Sequence, residues 1–293
     1  MERIVVGMDE SASAADALRW AVAEGALRGW PVTAVLAWTY LEQHQVLEGV
    51  EDFDPEYSEA DATEALAVYV ERAVGAAAAA GVDKVVVMDR AAHGLLDLAG
   101  HAALLVVGAR GLGGFRGLVV GSVSQQVLHH ATCPVAVVKT AEGTHTRRGR
   151  VVVAVDGSDT SRSALDWALD EARARGAALD VVHCCSTPPY YGYPYVPPLD
   201  FEALEESGRA MLDDMLGAAD TTGLTEAPTP IVRMGGSIAD TILDVAKDAD
   251  LVVVGARGLG GFQGMLLGSV SQHVVHRAAC EVVVIPLVHA AAS

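Results

Sequence analysis

The sequence predicts an α/β protein built from two copies of one doubly wound unit, each a five-stranded parallel sheet with helices on both faces. Three observations predict it. Short apolar runs alternate with segments of helical spacing along the chain, the pattern of successive βα units. Equivalent residues recur at a fixed offset of 147: Asp9 and Asp156, Trp20 and Trp167, Gly29 and Gly176, Asp97 and Asp244, Gly108 and Gly255, Ser122 and Ser269. Over Gly108–Val138 against Gly255–Ile285, 20 of 31 positions are identical. A repeat that long is a duplicated domain and not a solenoid.

The chain of 293 residues suits two domains. The break falls in Lys139–Gly149 (KTAEGTHTRRG), which is polar and non-periodic. The expected domains are therefore 1–139 and 150–288, with a linker at 140–149. Hydrophobic residues make up 51% of the chain, aromatic residues only 5%, which fits buried parallel strands rich in Val, Leu and Ala. A net charge of −18 argues against nucleic acid or anionic membrane as a partner. It also means that any phosphate site must work through local N–H groups against an unfavourable overall field. The four cysteines form no CxxC pair, so neither a disulfide framework nor a zinc site is suggested. Cys133 and Cys280 occupy equivalent places, which favours buried packing. Glu2 and Arg3 lead straight into an apolar strand, unlike a secretory leader, and no apolar run reaches the ~20 residues of a membrane span. The expectation is a cytoplasmic protein.

Within each copy the elements follow in order. First strands are expected at Arg3–Gly7 and Arg150–Val155. Helices follow over Ser11–Arg28 and Ser158–Arg175, with apolar faces Ala14, Ala17, Leu18, Ala21 and Ala164, Leu165, Ala168, Leu169. Ser11 or Ser13, and Ser158 or Asp159, suit the N-caps, and Gly29 and Gly176 the stops. Second strands run over Val32–Ala37 and Ala178–Cys184. The copies then diverge: an acidic loop at Leu41–Glu59, and a Pro/Tyr-rich loop at Ser186–Asp200. Each is either an ordinary surface loop or an element beside a ligand. Long helices (Ala60–Ala80; Phe201–Ala219), third strands (Lys84–Met88; Pro230–Met234) and short helices (Gly94–Ala99; Ile238–Ala246) come next. Fourth strands at Leu104–Val107 and Leu251–Val254 run into glycine-rich stretches, GARGLGGFRGLVVGS and GARGLGGFQGMLLGS. A helix and a last strand close each unit.

The chemistry concentrates where strands end. In a doubly wound sheet, ligands bind beyond the carboxyl ends of the strands at the switch point. In the flavodoxin-like order 3-2-1-4-5 the first and fourth strands are neighbours, so Asp9 with Gly108, and Asp156 with Gly255, flank one crevice each. Glycine loops leading into a helix N-terminus build anion sites from backbone N–H groups. The spacing Gly-x2-Gly-x9-Gly-Ser is kept in both copies. Asp9 and Asp156 either accept hydrogen bonds from a sugar or base, or cap the following helix, and the two roles can coexist. Arg110 and Arg257 either screen phosphate or face water. Arg116 becomes Gln263 in the second copy, so it is not a clamp common to both. His129, His130 and His276 suit a helix C-terminus. No GxxxxGK[ST], GxSxG or HExxH occurs, and the glycine loop follows the fourth strand, which argues against a dinucleotide fingerprint.

The first-strand ends VGMDES and VAVDGS, the GARG…GS loops and the tail SVSQQVLHHATCPVAVV resemble the universal stress protein family, specifically its tandem-domain, ATP-binding actinobacterial type. The resemblance covers nearly the whole chain, twice. It implies one adenine nucleotide site lined by Asp9, Gly108, Gly111, Gly121 and Ser122, and another by Asp156, Gly255, Gly258, Gly268 and Ser269. It implies adenine contacts from the second-strand backbone near Val35 and Val182. It also implies ATP, ADP or AMP as ligand, with Mg²⁺ carried on the phosphates, pseudo-two-fold pairing of the domains, and a homodimer. The expected function is nucleotide-dependent regulation in a stress response; the alternative is a slow ATPase or a phosphoryl or adenylyl transferase. Two departures separate the copies: Glu10 stands where the second has Gly157, and Met88-Asp89 stand where it has Gly235-Gly236.

Overall fold

The computed structural model describes residues 2–39, 58–111, 120–139, 148–186, 200–260 and 266–287. The central parts of both glycine loops, most of the acidic and Pro/Tyr-rich loops, the middle of the linker, Arg116, Gln263 and His145 lie outside the described residues. The chain forms two compact units, Met1–Thr144 and His145–Ser293.

In the first unit the chain runs β1 (Ile4–Gly7), α1 (Ala12–Arg28), β2 (Val32–Trp38), α2 (Glu59–Val74), α3 (Ala76–Ala79), β3 (Val82–Met88), α4 (Ala91–Ala99), β4 (Leu104–Gly108), α5 (Ser122–His130) and β5 (Val135–Val138). The strands lie in the order β3-β2-β1-β4-β5 and every pairing is parallel. The second unit runs β6 (Arg150–Ala154), α6 (Asp159–Arg175), β7 (Ala178–Ser186), α7 (Phe201–Ala218), β8 (Thr229–Gly235), α8 (Ile238–Val245), a 3₁₀ turn (Ala246–Asp248), β9 (Leu251–Gly255), α9 (Ser269–Arg277) and β10 (Glu281–Ile285). Its order is β8-β7-β6-β9-β10, again all parallel. The α/β class and the parallel sheets are thus as the sequence predicts. Among the described residues no helix is long and apolar enough to cross a membrane.

The central strands explain the composition. Val5, Val6, Leu104, Leu105, Val106, Val151, Val152, Val153, Leu251, Val252 and Val253 are fully buried, because helices cover both faces and leave no polar side to alternate with. Cys133 and Cys280 are buried as expected. Ser11 and Ser158 are the caps of α1 and α6, accepting from Ala14 N and Ser161 N. Gly29 and Gly176 end those helices in the left-handed region at φ 69° and 60°.

Several boundaries differ from the sequence expectation, and three stand out. The predicted helix Ala60–Ala80 is broken at Gly75, whose φ of 80° and ψ of 157° are open to glycine and not to the flanking alanines. Helix propensity had joined the two pieces across it. The third strand starts two residues earlier than expected, at Val82. Gly94, read as a helix start, lies inside α4: a Cβ there would sit 2.8 Å from Val87 Cγ2, so the glycine lets the helix lie close on β3.

Each unit also buries an ion pair that periodicity does not reveal. Glu24 and Glu171 are fully buried on α1 and α6, and each is paired with an arginine one turn on, Arg28 at 2.5 Å and Arg175. Arg28 also stacks 4.8 Å from the centre of the Trp30 ring. Removing one partner of such a pair takes a countercharge from a buried group. Arg28→Ala should therefore destabilise the first unit by on the order of 3 kcal/mol in urea unfolding. Arg209→Ala, which breaks the exposed pair with Glu205, should cost under about 1 kcal/mol.

Candidate functional site

In both units the crevice is made where the β1–α1 or β6–α6 turn meets the loop that leaves β4 or β9. Asp9 Oδ1 accepts from Ser11 N at 2.9 Å, so from two residues before the capping serine it organises the turn into α1, and Ser11 is the cap. Asp156 does the same, accepting from Ser158 N (3.1 Å) and Ser158 Oγ (2.6 Å). Its second oxygen reaches across to the loop and accepts from Leu259 N at 2.7 Å.

The glycines of the motif separate into three kinds. Gly108 and Gly255 are required by packing. A Cβ on Gly108 would lie 2.6–2.7 Å from the Oγ and backbone of Ser13, and one on Gly255 would lie 2.9 Å from Thr160 Cγ2. Gly111 and Gly258 are required by the aspartates: an added Cβ would meet Asp9 Oδ2 at 2.7 Å and Asp156 Oδ2 at 2.1 Å. Gly121 and Gly268 are required by neither. Their φ values, −77° and −74°, suit any residue, and the nearest atom to an added Cβ is 3.5 or 3.4 Å away, near ordinary contact.

Those last glycines also close the loop. Gly121 N donates to Ala109 O, and Gly268 N to Ala256 O, both at 2.7 Å. Ser124 Oγ to Gly108 O (2.7 Å) and Ser271 Oγ to Gly255 O (2.6 Å) tie the next helix back to the strand end. Helices α5 and α9 begin at Ser122 and Ser269, both exposed, and no side chain caps either N-terminus. By contrast α1, α2, α6, α7 and α8 are capped by Ser11, Ser58, Ser158, Asp200 and Ser237. The first N–H groups of α5 and α9 carry the positive end of the helix dipole. Gly121's added Cβ would be 3.5 Å from Gly111 N, so aspartate, glycines and helix end meet at one place.

The second strand forms the other wall. Val35 O accepts from Met8 N at 2.8 Å and Val182 O from Val155 N at 2.9 Å, so both carbonyls belong to the sheet ladder. β1 pairs with β2 no further than Gly7↔Val35, whereas β3 continues alongside Leu36, Ala37 and Trp38. His183 donates Nδ1–H to Val155 O at 3.0 Å. Nothing in the spacing signals that contact.

Burial pushes the Asp156 carboxyl up, but hydrogen bonds from Ser158 Oγ, Leu259 N, Ser158 N and Ser161 outweigh it and hold the group below its ordinary 3.8. A carboxylate held low stabilises the fold fully above its ordinary value and loses that contribution as pH falls through the depressed one. Among the described residues one trio could hold a metal ion, Asp89, His93 and Asp97 at the start and outer face of α4, with ligand atoms within 4.8 Å of one another. There His93 Nδ1 pairs with Asp89 at 2.5 Å, which raises the imidazole pKa and lowers the carboxylate's.

The family model for the universal stress protein family matches residues 1–139 and again 147–286. A universal stress protein of Mycolicibacterium smegmatis is 33% identical over 300 residues, spanning 96% of each chain. One from Mycobacterium tuberculosis is 34% identical over 288 residues, spanning 96% of this chain and 95% of its own. The crystal structure of a universal stress protein from Archaeoglobus fulgidus shares the fold, with a TM-score of 0.68 over 97% of this chain and 98% of that one at 20% identity.

The Asp156 geometry makes a pH prediction. The amide resonance of Leu259 should titrate in acid with a midpoint below 3.8. In Asp156→Ala the same resonance should show no acid titration.

Proposed function

The chain belongs to the universal stress protein family, and we propose that each unit binds one adenine nucleotide, ATP foremost, and that binding regulates the protein by favouring one conformation or assembly. Gly121 and Gly268 carry this reading. Neither the backbone conformation nor, among the described residues, any neighbouring atom forbids a side chain there. Glycine at both positions, beside uncapped helix N-termini, reserves room for a group that approaches the backbone closely. In a chain of net charge −18, an anion is held only by such local donors.

On this reading the phosphates sit on the N–H groups that begin with Ser122 and Ser269, with Gly111 and Gly258 beneath them. Gly108 and Gly255 act one step back, by letting the helix cross close over the strand end. Asp9 and Asp156 hold the turn and the loop in register. Asp156 spends its acceptor positions on the chain's own donors, Ser158 N and Oγ, Leu259 N and Ser161, about as many as a carboxylate has, so it acts on the ligand through the turn and loop that it holds. The base is read by the β2 and β7 backbone just past Val35 and Val182, since those two carbonyls are committed to the sheet. Mg²⁺ arrives on the phosphates and needs no protein cage. The nucleotide is held and not turned over, and self-association of the chain into a homodimer is the assembly that it tunes.

The test separates ligand from fold. Gly121→Ala/Gly268→Ala should leave the nucleotide-free melting temperature unchanged or slightly raised, since alanine at a compatible φ adds ~0.4–1 kcal/mol. Saturating ATP should raise the melting temperature of the wild type, with ~2.7 kcal/mol gained at 100 times the dissociation constant, and should not raise that of the double variant. Adenine nucleotide should be released from the purified wild-type chain on denaturation and be seen by mass spectrometry. ADP or AMP production that disappears in the double variant would favour the enzyme instead.

A further inference from the structure

Each Ser-Val-Ser that opens the helix after a glycine loop uses its two serines differently. Ser122 and Ser269, the first residues of α5 and α9, are exposed. Ser124 and Ser271, two residues on, are buried, at 4% and 5% exposure. A serine near a helix start commonly bonds the local backbone. These two reach away from their own helix instead. Each hydroxyl donates to the carbonyl of the glycine that ends the preceding strand, Gly108 O at 2.7 Å and Gly255 O at 2.6 Å. The next carbonyl along, Ala109 O or Ala256 O, accepts from Gly121 N or Gly268 N at 2.7 Å. Two successive carbonyls at the strand end are thus taken up by the start of the following helix, one by a side chain and one by the backbone. The arrangement is the same in both units. Val120 and Leu267, just before those glycines, are buried and anchor the returning chain.

Resting on the reading of both crevices as nucleotide sites, we propose that Ser124 and Ser271 are positioning residues for the phosphates, governing how tightly the phosphate chain is held and not how the base is held. Neither hydroxyl serves as a ligand contact, since each is buried and committed to a carbonyl. Its first effect is electrostatic. Without its donor, the Gly108 or Gly255 carbonyl would stand as an unpaired acceptor within reach of the first helical turn. The negative end of that carbonyl would then oppose the anion that the helix dipole attracts. Its second effect is geometric. Backbone N–H groups hold an anion well when they are already in place and need no ordering on binding. The serine bond and the glycine bond give each helix start two attachments to the strand end, on neighbouring carbonyls. The N–H groups that begin with Ser122 and Ser269 are therefore set before a ligand arrives. The base, on the same reading, lies against the backbone of β2 or β7, whereas both serine bonds end on β4 and β9.

The full chain tests this with both serines replaced together, as Ser124→Ala/Ser271→Ala and as Ser124→Cys/Ser271→Cys, the second keeping most of the volume with a weaker donor. Binding of ATP and of adenosine, titrated to millimolar concentration, is measured by calorimetry, and ligand-free melting temperatures report the fold. In the alanine chain ATP should bind about tenfold or more weakly than in the wild type, while adenosine stays within about twofold. The cysteine chain should show the same selective loss at smaller size. Ser124→Thr/Ser271→Thr, which keeps the hydroxyl, should bind ATP as the wild type does. ATP affinity unchanged in the alanine and cysteine chains would overturn the proposal while leaving two nucleotide sites in place. So would ATP and adenosine weakened by one common factor, or a folded threonine chain that loses ATP as the alanine chain does. If the alanine chain fails to fold, the cysteine chain decides by the same criteria. A wild-type chain that binds neither ATP nor adenosine would overturn the site reading itself.

Discussion

The crevice of each unit depends on one contact: a carboxylate at the end of the first strand lying against a glycine just past the end of the fourth. The two strands are neighbours in the sheet, so the contact spans only the gap that the ladder already sets. A side chain at Gly111 or Gly258 would occupy the volume of the carboxylate itself. In the second unit the same carboxylate receives the first N–H beyond the glycine, so loop and turn are held as one piece. Everything further out, including the clasp of the loop and the direction of the next helix, is built from that fixed corner.

The contact also explains why the motif has its spacing. Gly108 and Gly255 admit the first turn of the following helix, Gly111 and Gly258 admit the carboxylate, and Gly121 and Gly268 stand where the chain itself asks for nothing. A single residue type thus serves three physical ends within fifteen residues. Only the third kind points outside the molecule, and it sits beside helix starts with no side-chain cap among the described residues.

Much of this was legible in the sequence, for reasons that can be stated. Buried parallel strands read as unbroken apolar runs, as in Leu104–Val107, and duplication at a constant offset made each inference twice. The caps and stops at Ser11, Ser158, Gly29 and Gly176 follow from local hydrogen bonding and from glycine's access to positive φ. What escaped the sequence was tertiary. Glu24 and Glu171 stand at positions that continue the apolar stripes of their helices, but residue type alone gives no sign of a buried carboxylate, and each is paired with an arginine one turn away. The break at Gly75 was hidden by strong helix formers on either side. The commitment of the Val35 and Val182 carbonyls is a matter of register, which pattern fixes only to within a residue or so.

The bond from Gly121 N to Ala109 O, and its twin from Gly268 N to Ala256 O, has a consequence for how the loops tolerate change. Each makes a ring of its loop, shut at the base by 2.7 Å of hydrogen bond and sewn to the strand end by a serine. The entropy of closing that ring is met within the fold, before any ligand arrives, and doubling the length of such a ring adds only about 0.6 kcal/mol. The span between the clasped ends is therefore a cassette. Its length can change at little cost, while Gly111 and Gly258 within it stay fixed by the carboxylates that they face.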